Sequence, residues 1–171
     1  MFKALPIIVK YKTQFLKRKS GYFFLGPLGH SLGIPYNKNI KIKLKGNKLY
    51  LLSKTLAFFN LYKKLLFQKL RGVCYGFKTK LKLNGVGYVA EKLKKKLILK
   101  LGFCKNVIIL IPKSIKIKVK KRKLLKILGR DLNEITQFGA KIRRYKVPEV
   151  YKGKGILYFK EKLFLKVGKK N

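Results

Sequence analysis

The chain has 171 residues, 47% of them hydrophobic, with Lys+Arg 45 against Asp+Glu 5 and a net charge of +40. That much apolar matter excludes a disordered polybasic tail. So few carboxylates exclude internal neutralisation, and self-repulsion opposes the compact state until a polyanion supplies the counter-charge.

RNA, DNA and an anionic membrane are the polyanions to weigh. The longest clean apolar run, residues 107–111, falls far short of the ~18 residues a membrane span needs. The lysines also follow a strand period, not one helical face, so no membrane partner is expected. The first twenty-odd residues are basic and acid-free like a transit peptide. They contain Pro6 and run directly into strand-like sequence, so they are read as part of the mature fold.

Residues 40–45, "IKIKLK", alternate apolar residues with lysine and predict a half-buried strand with a charged outer face. A first helix is predicted from Asn60, with Leu61, Leu65, Leu66, Leu70, Val73 and Phe77 as its stripe. Gly72 and Gly76 weaken it by about 1 kcal/mol each, as glycines do where backbones approach closely. Strands are predicted over 79–90, 97–101 and 107–111, then over 115–120 and 124–128. Residues 115–120 read "IKIKVK", which repeats the earlier run at an offset of 75 residues, Ile115 falling on Ile40. The plain reading of these lysines is a solvated outer sheet face.

A second helix follows. Asp131 and Glu134 have capping-box spacing. Leu132, Ile135, Phe138, Ile142 and Tyr145 form one apolar stripe, and Lys141, Arg143, Arg144 and Lys146 load the C-terminal end. Val147-Pro148 stops it. Each repeat is thus a small antiparallel sheet with one helix on its apolar face. The expected fold is α+β, with two duplicated small domains over residues 1–80 and 81–171.

Catalytic chemistry has few candidates. Asp131 and Glu134 are assigned to a helix cap, and Glu91, Glu149 and Glu161 stand isolated among lysines. His30 is the one histidine, and Cys74 and Cys104 lack CxxC spacing, which argues against zinc. Gly85-Val86-Gly87 and Gly153-Lys154-Gly155 are two-glycine fragments without the rest of a phosphate-binding loop. The chain is read as a non-enzyme with no cofactor, no metal and no small-molecule substrate.

What remains is residues 143–158. Arg143, Arg144 and Lys146 end the helix, and Tyr151, Lys152 and Lys154 follow a proline turn. Gly153 and Gly155 lack Cβ atoms, so their backbone N–H groups can approach a phosphate. Tyr151 can stack on a base or ribose. Glu149 is expected to hold a neighbouring cation or backbone N–H. The other reading of this stretch is a flexible basic loop without a fixed partner.

"PEVYKGKGI" (148–156) resembles the signature of the L-six family of large-subunit ribosomal proteins. So do "RGVCYGFKTKLKLNGVGY" (71–88), "LILKLGF" (97–103), "GPLGHSL" (26–32) and the closing "KVGKK" (166–170). The resemblance runs in register from about residue 20 to the end. Val150 departs from it, standing where the family usually has a second proline. The resemblance implies two α+β domains related by duplication and binding to large-subunit rRNA. It also implies a place near the sarcin–ricin loop, close to docked translational GTPases and among neighbouring large-subunit proteins. Carried over by position, the RNA contact comprises Tyr151, Lys152, Gly153, Lys154 and Gly155, with Arg143, Arg144, Lys146, Lys169 and Lys170 nearby. A basic DNA- or RNA-compacting module outside the ribosome is the alternative. Abundant Lys, Ile, Leu, Phe, Tyr and Asn with Trp 0 suit an A+T-rich genome. A mitochondrial ribosome is therefore the first expectation, with a plastid-type organelle or A+T-rich bacterium second.

Overall fold

The computed structural model describes residues 2–3, 7–8, 13–31, 33–35, 37–45 and 48–168, excluding the side chains of 2, 3, 7, 8, 44 and 45. The chain folds as α+β and divides into two compact units, Met1–Phe77 with Arg130–Leu132, and Lys78–Gly129 with Asn133–Asn171.

The first unit contains β1 (Phe2–Lys3), β2 (Ile7–Ile8), β3 (Gln14–Arg18), β4 (Gly21–Gly26), β5 (Gly29–His30), β6 (Ile34–Pro35), β7 (Ile40–Lys45), β8 (Lys48–Ser53) and α1 (Leu56–Cys74). β7, β1 and β2 pair antiparallel with β8, and β3, β5 and β6 pair with β4. One core joins both sheets and the helix, through Tyr22, Phe24, Ile42, Leu51, Tyr62 and Leu66 among others. The unit therefore has two small sheets where one was expected. Phe2–Lys3 and Ile7–Ile8 pair with β8 in the first of them.

α1 starts four residues before the predicted Asn60, and its buried face is rotated from the predicted stripe. Phe59, Tyr62, Leu66, Leu70 and Val73 face the core, whereas Leu61 is 52% exposed. The aromatic pair one turn apart outweighs the leucines that the sequence offered. Gly76, predicted inside the helix, lies beyond its end with φ 71°. Its N–H donates to the carbonyls of Arg71 and Gly72, which closes the helix with a left-handed cap. Gly72 is a close approach: a Cβ there would sit 2.0 Å from the Arg130 carbonyl oxygen.

The second unit takes in β9 (Phe77–Asn84), whose first residue clusters with the first unit, then β10 (Val89–Leu93), β11 (Lys96–Lys100), β12 (Val107–Leu110), β13 (Ile115–Lys120), β14 (Leu124–Gly129), α2 (Leu132–Arg144) and β15 (Gly155–Tyr158). Its sheets run β10-β11-β12 and β13-β14-β9-β15. The predicted 79–90 strand is split at Gly85-Val86-Gly87, because Gly87 turns left-handed at φ 73°. From α2, Ile135, Phe138 and Ile142 are buried as the stripe predicts, while Tyr145 falls past the helix end and is exposed.

The internal repeat is visible in the topology. The two alternating runs are β7 and β13; each opens an antiparallel hairpin, and each hairpin is followed by the unit's helix. Residues 46–47 separate the strands of the first hairpin and residues 121–123 those of the second. That one-residue difference raises the offset from 75 to 76 after the turn, so the buried Leu49 and Leu51 correspond to the buried Leu125 and Ile127. Ile40, Ile42, Ile115 and Ile117 are buried, and Lys41, Lys43, Lys116 and Lys118 are exposed, as period-two alternation requires.

Candidate nucleic-acid interface

The stretch after α2 is a closed hook. The Glu149 N–H donates to the Lys154 carbonyl at 3.0 Å, and the Gly153 N–H donates back to the Glu149 carbonyl at 3.0 Å. Asn84 Nδ2 donates to the Gly153 carbonyl at 2.8 Å. The Ile156 N–H donates to the Lys146 carbonyl, and the Lys166 N–H to the Val150 carbonyl. The stretch is therefore a constrained loop latched to β9 on one side and to the chain's closing segment on the other.

The glycines serve this closure. Gly153 has φ 64° and Gly155 φ 153°. A Cβ at Gly155 would lie 2.6 Å from Pro148 Cα, so Pro148 packs directly on the glycine backbone. Both glycines are buried. The expectation that their N–H groups face a phosphate is thus revised for Gly153, whose N–H is already bonded within the loop. Their missing side chains let the hook close, and closure turns Tyr151, Lys152 and Lys154 outward, all exposed.

The helix end lies alongside. Arg144 is exposed. Lys146 is half-buried, with Nζ 4.8 Å from the Phe103 ring centroid. Arg143 also braces the fold: its Nη2 donates to Glu161 Oε1 at 2.5 Å, and its guanidinium lies 5.7 Å from the Tyr158 ring centroid. Glu161 Oε2 also accepts from the Tyr158 N–H at 3.0 Å. The acid that fixes a cation here is therefore Glu161, whereas Glu149 contributes through its backbone. Arg143, Arg144 and Lys146 are thus brought beside Tyr151, Lys152, Gly153, Lys154 and Gly155. Lys169 and Lys170 lie outside the described residues.

Sequence reasoning missed the bracing by Asn84, Glu161 and Phe103, whose partners Gly153, Arg143 and Lys146 are remote in sequence and leave no local signal. It also missed Phe164, 90% exposed on the segment latched to the hook. An unburied aromatic among Lys162, Leu163, Leu165 and Lys166 is the signal that could have found it. Asp131, read as a helix cap, also accepts a buried hydrogen bond from Lys69 Nζ. No cluster of three or more His, Cys, Asp or Glu side chains among the described residues could hold a metal ion. No described helix is long and apolar enough to cross a membrane.

Fold and charge together define the class: a duplicated, strongly cationic α+β protein in which a constrained loop after α2 displays lysines and a tyrosine. The family model for ribosomal protein L6 matches residues 84–159. A large ribosomal subunit protein uL6 from Mycoplasmoides gallisepticum is 36% identical over 150 residues, covering 84% of this chain and 82% of that one. Another, from Karelsulcia muelleri, is 37% identical over 96% of this chain and 95% of its own length. The uL6c protein of Arabidopsis thaliana is 37% identical over 84% of this chain and 67% of its own. The chain belongs to the ribosomal protein L6 family, a family of structural, non-enzymatic ribosome components.

Proposed function

We propose that this protein is a structural constituent of the large ribosomal subunit that binds large-subunit rRNA near the sarcin–ricin loop. It would lie beside the docking region of translational GTPases and among neighbouring large-subunit proteins. The observation that carries the RNA contact is the hook: the Glu149 and Gly153 backbone groups close it internally while Tyr151, Lys152 and Lys154 are exposed. Lys152, Lys154, Arg144 and Lys146 supply phosphate contacts, joined by Lys169 and Lys170. Tyr151 stacks on a base or ribose, Gly153 and Gly155 shape the loop, and Arg143 braces it. The position near the sarcin–ricin loop rests on the family signature at 148–156.

The test is Lys152→Ala with Lys154→Ala, titrated against a transcript of large-subunit rRNA. Weakened binding with an unchanged melting temperature is expected; wild-type affinity would remove the hook from the interface. Equal affinity of the wild-type chain for duplex DNA would favour a compacting role outside the ribosome. The organelle is proposed from composition alone, as a mitochondrion before a plastid or bacterium. Sedimentation of the chain with mitochondrial large subunits is the expected outcome, and its recovery only from another compartment's ribosomes would overturn that placement.

A further inference from the structure

In the β13-β14-β9-β15 sheet, Leu81, Leu83, Ile115, Ile117, Leu125 and Ile127 are buried on the inner face. The alternate positions turn outward. They carry Lys116, Lys118 and Lys120 on β13, Lys126 on β14, and Lys78, Lys80 and Lys82 on β9. Lys118 stands directly opposite Lys126 across the ladder. These strands contain no acid, and like charges placed opposite one another oppose pairing.

Two ordinary explanations fall short of the whole face. Lysines guard free sheet edges, which covers those on the edge strand β13 but not Lys126, Lys78, Lys80 and Lys82, because β14 and β9 are interior strands of this sheet. A surface kept polar for solubility mixes both signs, and this one does not. The crowding has a chemical consequence. The pKa of Lys126 is pushed below the usual lysine value, first by the charge of Lys120, then by partial desolvation and by Lys80 and Lys78.

We propose that this outer sheet face is a second RNA-phosphate-binding surface, separate from the hook and centred on Lys126, Lys118 and Lys80. Along a strand, alternate lysines recur about every 6.6 Å, and neighbouring strands lie about 4.8 Å apart. Leu124 and Leu128 flank Lys126 on β14, so the face carries two rows of ammonium groups, on β13 and β9, joined through Lys126. Lysine is a point charge that lacks the planar fork of arginine, and Phe159, exposed with its ring centroid 4.9 Å from Lys80 Nζ, is already engaged by that ammonium. Such a surface neutralises and positions a nucleic-acid backbone without reading its sequence. A protein partner fits less well, because lysine is depleted at the centres of protein interfaces.

This inference rests on the reading of the chain as an rRNA-binding protein, and the experiment separates the two. Three full-length proteins are titrated against a large-subunit rRNA transcript over a range of salt: wild type, Lys152→Ala/Lys154→Ala, and Lys80→Gln/Lys118→Gln/Lys126→Gln. Circular dichroism checks that each folds. The face variant is expected to bind more weakly and to lose about 2–3 from the slope of log K against log salt, since each neutralised phosphate contributes about 0.7–0.9. The wild-type Lys126 ammonium, followed by NMR, should show its pKa rising on RNA addition, because nearby phosphates favour the charged form. Wild-type affinity and slope in the face variant, with a weakened hook variant, would overturn the second surface and leave the rRNA reading intact. If neither variant changes RNA binding, both readings fall. Should the face variant lose only affinity for polyglutamate, the surface is protein-directed and the proposal is wrong.

Discussion

Gly155 and Gly87 look alike in sequence, each ending a Gly-x-Gly triplet, yet they stand in different surroundings. A Cβ at Gly87 would meet nothing within 4 Å, while one at Gly155 would meet the backbone of Val147 and Pro148 at 2.6–2.9 Å. Gly87→Ala should therefore cost only its left-handed backbone, roughly 1–2 kcal/mol. Gly155→Ala should cost more and loosen the hook. Denaturant melts compare the totals, and hydrogen exchange at the Gly153 N–H reads the loop directly. Equal costs with an unchanged exchange rate would mean that Pro148 packing does not hold the hook closed. The Lys69–Asp131 pair is the other decisive contact at this scale, because both side chains are buried. Asp131→Ala should destabilise the protein by about 3–5 kcal/mol by leaving a buried ammonium without its carboxylate. Lys69→Met with Asp131→Leu should recover most of that loss.

Among the elements, α2 was legible and α1 was only partly so. The α2 stripe at Ile135, Phe138 and Ile142 is regular and bounded by an acid cluster and a proline, so periodicity alone found its face. α1 is apolar on more than one side, with Leu61 and Phe67 exposed beside a buried face of Phe59, Tyr62 and Leu66. Periodicity cannot choose between faces when both are hydrophobic. Phe138→Ala should accordingly cost about 3–5 kcal/mol, and Leu61→Ala, a stripe residue by sequence, should stay within about 0.5 kcal/mol. Chemical denaturation of both variants decides which face is core. The strands were legible through alternation, but their division between sheets was not. That division depends on turns such as Gly85-Val86-Gly87 and on pairings between distant segments. The hook's displayed residues could be read from the sequence. Its bracing by Asn84 and Glu161 could not, because those bonds span 69 and 18 positions.

For the whole molecule, charge sets the conditions under which the fold is comfortable. With a net charge of +40, the RNA-free protein should melt at higher temperature as salt is added, since screening weakens repulsion among exposed cations. It should also gain stability as pH rises toward 10.5. The folded-state pKa of Lys126 lies below that unfolded value. Between the two the unfolded chain binds more protons, so unfolding becomes harder with rising pH. Cys74 acts in the opposite sense, because burial raises its thiol pKa above 9.0. Its stabilising contribution is present below that pH and is lost as pH climbs through the folded value. Thermal melts in a Cys74→Ser background therefore isolate the lysine effect, and a melting temperature that falls toward pH 10.5 in low salt would count against it.

The most direct measurement is a map of RNA–protein crosslinks in the assembled large subunit. Peptides containing Tyr151, Lys152 and Lys154 should carry rRNA nucleotides, and the same lysines should resist acetylation until the RNA is digested. A hook that carries no crosslink and acetylates freely inside the intact particle would contradict the account.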